Sequence, residues 1–321
     1  MSRPILLGAL AALAVWAAQP AGEPPHAAVA RLQPIALRPL EQSWPVGGDL
    51  LTLRSEPWFA GAVSSIRFRD VEFLDSADHG RLLQGAISFG GLGECLNPTQ
   101  AGASRDRPGG ATTSELLWAE TTPERYVTAT RMAYWKRPGQ SCRPPEGVYR
   151  FAANQTPGSN VVYAQRFQPG YRGYANAVEA VISFTTTVDQ PPAVVEALTA
   201  YTPPAFDRFH VFRDGRLVPD ETVAGGPGEQ PRPVVLATAD GRNAIGLLSL
   251  ANASAPGYGR FAFGVTNKVN LVYRPPGPYR AGTHTYRMAW VIGTLDEVEA
   301  TLRGLTGEPT RRAGGGYALM R

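Results

Sequence analysis

Short apolar runs of near-alternating pattern, each closed by a Gly or Pro signal, constrain this chain more than any other feature. From Leu50 onward, "LLTLRSEPWFAGAVSSIRFRDVEFLD" sets Leu51 and Leu53, then Val63, Ile66, Phe68, Val71 and Phe73, at nearly alternate positions, interrupted by Pro57 and Gly61. Similar runs recur at 115–118, 126–135, 147–151, 161–166, 178–187, 193–201, 209–218, 233–238, 244–250, 260–264, 269–274 and 284–292. Alternation with period two turns one face of an extended segment to a core and the other to solvent, the signature of a strand. Turn signals fall between the runs: Pro-Gly at 138–139, Pro-Gly-Ser at 157–159, Asp-Gly at 214–215 and 240–241, and Pro-Gly at 276–277. "HVFRDGRLV" is the clearest hairpin, because Asp214-Gly215 suits the left-handed pair of a type I′ turn.

One segment has the helical period instead. In "GTLDEVEATLRGLTG", Thr294 and Glu297 form a capping box, and Leu295, Val298, Leu302 and Leu305 recur at helical spacing before Gly307. This predicts a helix over 294–305 in an otherwise all-β chain. No internal repeat of fixed period appears, and no linker forces a second domain. The longest surface loops are expected at 107–114 and 224–233.

The N-terminus, MSRP followed by ILLGALAALAVWAA, has the charged, apolar and small-residue order of a secretory signal. Its apolar run is too short for a confident membrane span. Residues 1–30 are therefore read as leader and cleavage region, 31–47 as an extended lead-in, 48–308 as one β-sandwich domain and 309–321 as a tail. The roughly 290 residues left after cleavage can bury about three quarters of their unfolded surface without help from a metal. After cleavage no membrane span is expected, and the protein is placed in the periplasm or outside the cell. Two cysteines, Cys95 and Cys142, in an exported chain point to one disulfide. A nucleophilic cysteine is the weaker alternative, because neither sits in a local motif.

The net charge is +4, and the only lysines are Lys136 and Lys268. The positive charge is otherwise arginine, scattered singly, without the basic stripe of a nucleic-acid binder. No metal-ligand spacing, no phosphate-cradling loop before a helix and no Gly-x-Ser-x-Gly elbow is present, so neither metal nor cofactor is expected.

Polar residues of chemical interest concentrate between 78 and 106, in "DHGRLLQGA" and "GECLNPTQAGASRD": Asp78, His79, Arg81, Gln84, Glu94, Asn97, Thr99, Gln100 and Asp106. Sugar sites use this mixture, since hydroxyls take bidentate hydrogen bonds from Asp, Asn, Gln and Arg, and a His or Glu of suitable pKa can move a proton. Trp135 and Tyr201 are among the aromatic faces that can complete such a pocket. The same residues also read as structure: Asp78–Arg81 as a fixed turn, Glu94–Asn97 as a disulfide corner, and His210 and His284 as strand histidines held by neighbours.

The run "AGAVSSIRFRDVEFLDSADHGRLLQGAISF" resembles the opening of galactose-mutarotase-like proteins. "EALTAYTPP", "FHVFRDGRLVPD", "ATADGRNAIGLLSL" and "YRMAWVIGTLDEV" are similar to later segments of that fold, a supersandwich of large antiparallel sheets, so the likeness spans residues 48–305. More narrowly, "DHGR…Q" and "E-C-x-NPT-x-AG" resemble segments of a group of secreted bacterial proteins. In mutarotases an Arg and two His bind and protonate the sugar while a Glu near the C-terminus removes the anomeric proton. The resemblance assigns the Arg to Arg81 and the central His to His210. It offers no partner for the Glu, because Glu297 and Glu299 belong to the capped helix.

The sequence thus leads to an exported protein that binds or transforms an oligo- or polysaccharide. His79 or His210 is the expected proton-transfer group and Glu94 its partner acid, with Asp78 and Glu94 the obvious carboxylate pair. Arg81, Gln84, Asn97, Trp135 and Tyr201 are the expected sugar contacts. Epimerase, hydrolase and lyase chemistry all stay open, as do a non-catalytic sugar-binding module and a structural envelope protein.

Overall fold

In a computed structural model of the chain, the residues described are 38–145, 147, 148, 150–221, 228–250 and 256–307. The leader, most of the lead-in and the tail lie outside them. The first strands, β1 (Leu40–Val46), β2 (Asp49–Ser55), β3 (Ser65–Phe68) and β4 (Val71–Glu72), form a four-stranded antiparallel sheet in that order. Strand β1 falls within the stretch expected to be a lead-in. Pro45 disguises it in the sequence, yet an edge strand tolerates proline, and Trp44 and Val46 on either side are buried in the core.

A fifteen-stranded sheet contains most of the remainder. Its first members in chain order are β5 (Gln84–Phe89), β6 (Pro98–Thr99), β7 (Glu115–Thr122) and β8 (Arg125–Tyr134). A separate small hairpin follows, β9 (Ser141–Cys142) with β10 (Arg150–Phe151). The large sheet resumes with β11 (Gly158–Pro169), β12 (Ala177–Thr186), β13 (Ala193–Thr202), β14 (Arg208–Arg213) and β15 (Arg216–Pro219). It ends with β16 (Gly228–Gln230), β17 (Val234–Ala237), β18 (Ala244–Ser249), β19 (Gly257–Ala262), β20 (Asn267–Tyr273) and β21 (Gly282–Gly293). The spatial order is β15-β14-β17-β18-β21-β12-β11-β8-β6-β5-β13-β20-β19-β16, with β7 also on β8, and the pairings are antiparallel.

This sheet folds over on itself, so that β17 and β18 pack toward β19 and β20. The main core fills the fold and runs on beneath the small sheet, from Trp44, Leu51 and Phe68 to Tyr163, Leu271 and Trp290. The result is the large antiparallel β-sandwich expected from the alternating runs.

Helix α1 (Leu295–Thr306) follows β21 directly. Its capping box is formed as the sequence predicts, and Gly307 closes it at φ 68°. Val298, Leu302 and Leu305 cover the outer face of β12, β17, β18 and β21, where they meet Val235, Ala237, Ala289 and Val291. Strand β17 and the second half of β21, from Met288 on, are therefore buried on both faces, with Leu236 and Trp290 turned to the main core instead. Arg69 ties the small sheet to this helix through Asp49 and a bidentate pair with Glu297, both oxygens at 3.0 Å.

The Asp214-Gly215 hairpin has left-handed φ at both residues, 51° and 73°, as a type I′ turn requires. Cys95 and Cys142 are joined in a disulfide with Cα atoms 5.3 Å apart. No helix among the described residues is long and apolar enough to cross a membrane.

Candidate functional site

The Asp78–Gln84 corner links β4 to β5, and almost every polar atom in it is committed to the corner itself. Asp78 Oδ1 accepts from the Gly80 amide at 2.8 Å, and its Oδ2 accepts from Arg81 Nε at 3.0 Å. Arg81 Nη1 donates to Asp75 Oδ2 at 3.0 Å. Gln84 is buried; its amide nitrogen donates to the carbonyls of His79 and Gly80, and its oxygen accepts from Ala101 N at 3.1 Å. His79 is 1% exposed. Its Nδ1 lies 2.7 Å from Ala101 O, and since a carbonyl can only accept, Nδ1 carries the proton. The ring packs edge-on against Phe59 at 4.9 Å, and no described residue hydrogen-bonds to Nε2.

His79, expected as a proton-transfer group, and Gln84, expected as a sugar contact, both point inward and hold backbone groups. The reason is the closeness of 79–84 to Ala101, whose buried amide has Gln84 as its partner and whose carbonyl takes His79 alongside the Thr112 hydroxyl. Asp78 and Arg81 remain partly exposed at the rim.

Glu94 stands half-exposed beside the disulfide and pairs with Lys136 Nζ at 3.2 Å. That ammonium also lies 5.7 Å from the centre of the Trp135 ring. Trp135 packs over Gly80, where a Cβ would come within 2.9 Å of the indole. Its backbone N donates to Asn97 O at 2.7 Å. Asn97, oriented to donate, reaches Ile87 O at 3.2 Å, so this amide too serves the backbone. His210 sits in β14 opposite Pro219 and Val235 and is 9% exposed. Burial lowers its pKa, and none of its strand neighbours comes from the 75–106 segment. His284 Nε2 donates to Arg280 O at 2.9 Å while its ring stacks on Tyr279, a structural placement.

A second cluster begins where the corner meets β13: the Asp75 amide donates to Tyr201 O at 2.9 Å. Glu196, Thr199 and Tyr201 share one face of β13 although alternation would separate Glu196 from the other two. A β-bulge between Glu196 and Leu198 supplies the extra residue that realigns them. Across β20, Thr199 faces Asn270 and Tyr201 faces Lys268.

Three donors converge on Glu196 Oε2: Lys268 Nζ at 2.8 Å, Asn270 Nδ2 at 2.7 Å and Thr199 Oγ1 at 3.2 Å. No described residue donates to Oε1. Burial by itself raises the Glu196 carboxyl, but the Lys268 charge and these hydrogen bonds more than reverse that, leaving it below the ordinary glutamate range. Burial lowers Lys268 likewise, and Glu196 overrides it upward. Tyr201 is pushed up by burial, with Lys268 drawing it back and the Glu196 and Asp78 charges adding to the rise.

Aromatic rings border the pair. Lys268 Nζ lies 5.0 Å from the Phe261 ring centre and 5.5 Å from that of Tyr201. Phe263 is near-parallel to both, at 10° to Phe261 and 19° to Tyr201, with centroids 6.0 and 6.4 Å away. Gly259 makes room for Asn270, since a Cβ there would lie 2.0 Å from the amide oxygen.

Tyr201, expected from the sequence as a sugar contact, lies in this cluster, whereas Glu196, Asn270, Phe261 and Phe263 are not among the expected site residues. Their signal was an acid inside an apolar strand, "VVEALTAY", facing a strand with the chain's second lysine, "NKVNLVY". A cavity of about 270 Å3 lies elsewhere, between β1, the turn after β2 and β7, with Leu40, Glu56, Gly61 and Leu116 in its walls. None of the expected site residues lines it.

Fold and site together define an all-β sandwich that presents an oriented carboxylate–ammonium pair beside a row of aromatic rings on one sheet face. No protein-family model matches the chain, and no curated protein sequence matches it. Among solved structures, protein Slr1438 from Synechocystis sp. PCC 6803 is similar with a TM-score of 0.44 and 10% identity, covering 80% of this chain and 96% of that one. The GH36 α-galactosidase AgaB from Geobacillus stearothermophilus gives 0.45 and 11%, covering 87% of this chain. A glycoside hydrolase family 97 enzyme from Pseudoalteromonas sp. strain K8 gives 0.42 and 9%, covering 79%. The matches span only 43% and 35% of the lengths of these two hydrolases.

Proposed function

We propose that this chain is an exported carbohydrate-binding protein whose ligand sits on the β13–β20 face, against Glu196, Lys268, Asn270 and Tyr201, with Asp78 and Arg81 at the rim. The observation that carries the reading is the Glu196 carboxylate. Three donors on Oε2 fix and ionise it, Oε1 is left to accept from a ligand hydroxyl, and aromatic rings stand alongside. A sugar presents that combination, hydroxyls at its edge and apolar C–H groups on its faces. The disulfide fits an oxidising compartment, as does the leader-like N-terminus.

Recognition is favoured over turnover by the same electrostatics. A general acid or base works best with a pKa near the working pH. Glu196 is held below the ordinary carboxylate range and Lys268 above the ordinary amine range, so neither exchanges protons readily near neutrality.

The test is proton NMR of the full chain lacking its leader, mixed with a panel of neutral and uronate-containing oligosaccharides. Saturation transfer to sugar protons without chemical change, lost in Asn270→Ala, is the expected result. Faster anomer exchange, new reducing ends or an olefinic uronate proton would replace binding by epimerase, hydrolase or lyase activity. Silence across the panel would remove the carbohydrate reading.

A further inference from the structure

The charges at the site and the aromatic row beyond it bear on what kind of carbohydrate is held. Arg81 is engaged by Asp75 and Asp78, Lys268 by Glu196, and Arg274, which feels the Glu196 charge, by Glu229, so four carboxylates stand against three cations. Lys136, beside Trp135 and the Gly80 turn, is matched by Glu94. A uronate or sulfated sugar approaching this face therefore meets an acid excess, with each of these cations already neutralised. Like charges brought together at a partly desolvated site are strongly unfavourable.

The second observation is the hairpin joining β19 to β20. Phe263 and Val265 at its tip are 52% and 68% exposed and belong to none of the core clusters. The Phe263 ring nevertheless keeps near-parallel register with Phe261 and Tyr201. The Lys268 ammonium lies against Phe261 and Tyr201, the two rings that Phe263 contacts, and bonds to Glu196. Row and polar centre are thus one continuous surface, leading from Glu196 outward to the hairpin tip. These near-parallel rings, Phe263 exposed and Phe261 and Tyr201 half-buried, give no partner for an anion but match the C–H faces of successive sugar rings. A membrane surface would call for basic residues around the tip, and the neighbouring site is instead acidic in balance.

Resting on the carbohydrate reading above, we propose that the ligand is an uncharged glycan chain of several units. One unit is held at Glu196 and Asn270, and the chain runs outward across Tyr201, Phe261 and Phe263. Phe263 acts as a chain-length determinant: it contributes nothing to binding of a single sugar and adds affinity for each further unit that reaches it.

Isothermal titration with neutral gluco-, manno- and galacto-oligosaccharides from mono- to hexasaccharide, and with matched oligouronates, tests this. Affinity should climb with length by about three- to tenfold per ring covered and then level off, the range expected for one aromatic contact. Oligouronates should bind at least about tenfold more weakly than neutral chains of equal length. Phe263→Ala should flatten the length dependence and leave the melting temperature as it was. Length-independent binding of neutral sugars, an undiminished length effect in Phe263→Ala, or tighter binding of the uronates would each overturn the proposal while leaving sugar binding intact. Absence of binding to every sugar would defeat the parent reading as well, and so is a separable result.

Discussion

Lys268 Nζ lies 2.8 Å from Glu196 Oε2 across the β13–β20 pair, with the Lys268 side chain 12% and the Glu196 side chain 27% exposed. At that depth the pair is neither a screened surface contact nor a fully buried one, and its effect on stability is measurable. Lys268→Met strands a carboxylate that Asn270 and Thr199 alone must satisfy. We expect a loss of up to about 3 kcal/mol, near the lower bound for breaking a buried pair. Urea denaturation measures it; a loss under about 0.5 kcal/mol would class the pair with exposed salt bridges.

The same pair sets a pH window. Glu196 is depressed below its ordinary value of 4.5, so its contribution is complete above that value and is lost as pH falls through the lower folded pKa. Lys268 is raised above its ordinary 10.5, so its contribution is complete below that value and is lost as pH rises through the higher folded pKa. Stability attributable to the pair should be flat between the two ordinary values. Comparing wild type with Glu196→Gln/Lys268→Met across pH checks this, the difference shrinking at both extremes.

His79→Ala and Gln84→Leu should behave as stability variants. Gln84→Leu leaves the His79 and Gly80 carbonyls and the Ala101 amide short of a partner, at a cost of about 2–4 kcal/mol. Both variants should keep wild-type sugar affinity per folded molecule, measured well below their melting temperatures. A His79→Ala protein of unchanged stability with lost binding would return the imidazole to the site.

Gly259→Ala places a methyl 2.0 Å from the Asn270 amide oxygen and 2.8 Å from the Phe261 ring. Asn270 must then leave Glu196, so sugar binding should fall at least about tenfold, the equivalent of one charge-assisted hydrogen bond. A titration in parallel with Asn270→Ala checks it, since the two losses should match.

The disulfide closes 47 residues of chain. Replacing both cysteines by Ala should lower stability by about 4 kcal/mol in the chain-entropy model. The β13–β20 face lies on other strands, so its affinity should survive, and calorimetry with titration separates the two effects.

What the sequence determined was local or periodic. Alternation fixed the strands, Asp214-Gly215 the hairpin, and Thr294 with Glu297 the start of the helix, because backbone sterics and nearby hydrogen bonds decide these. The cysteine pair was legible because only one pairing exists. Burial of a polar side chain is different in kind, since it depends on what chain arrives from far away. His79 and Gln84 look reactive in "DHGRLLQGA", but Ala101 presents a carbonyl and an amide to them, and they turn inward. Glu196 looks like a stray acid in an apolar strand. The bulge before Leu198 puts it on the face of Thr199 and Tyr201, and β20 brings Lys268 and Asn270 to it from over seventy residues away. A one-residue slip reverses every side chain of a strand. Which residues share a face, and so which can share a ligand, was therefore decided only by the tertiary structure.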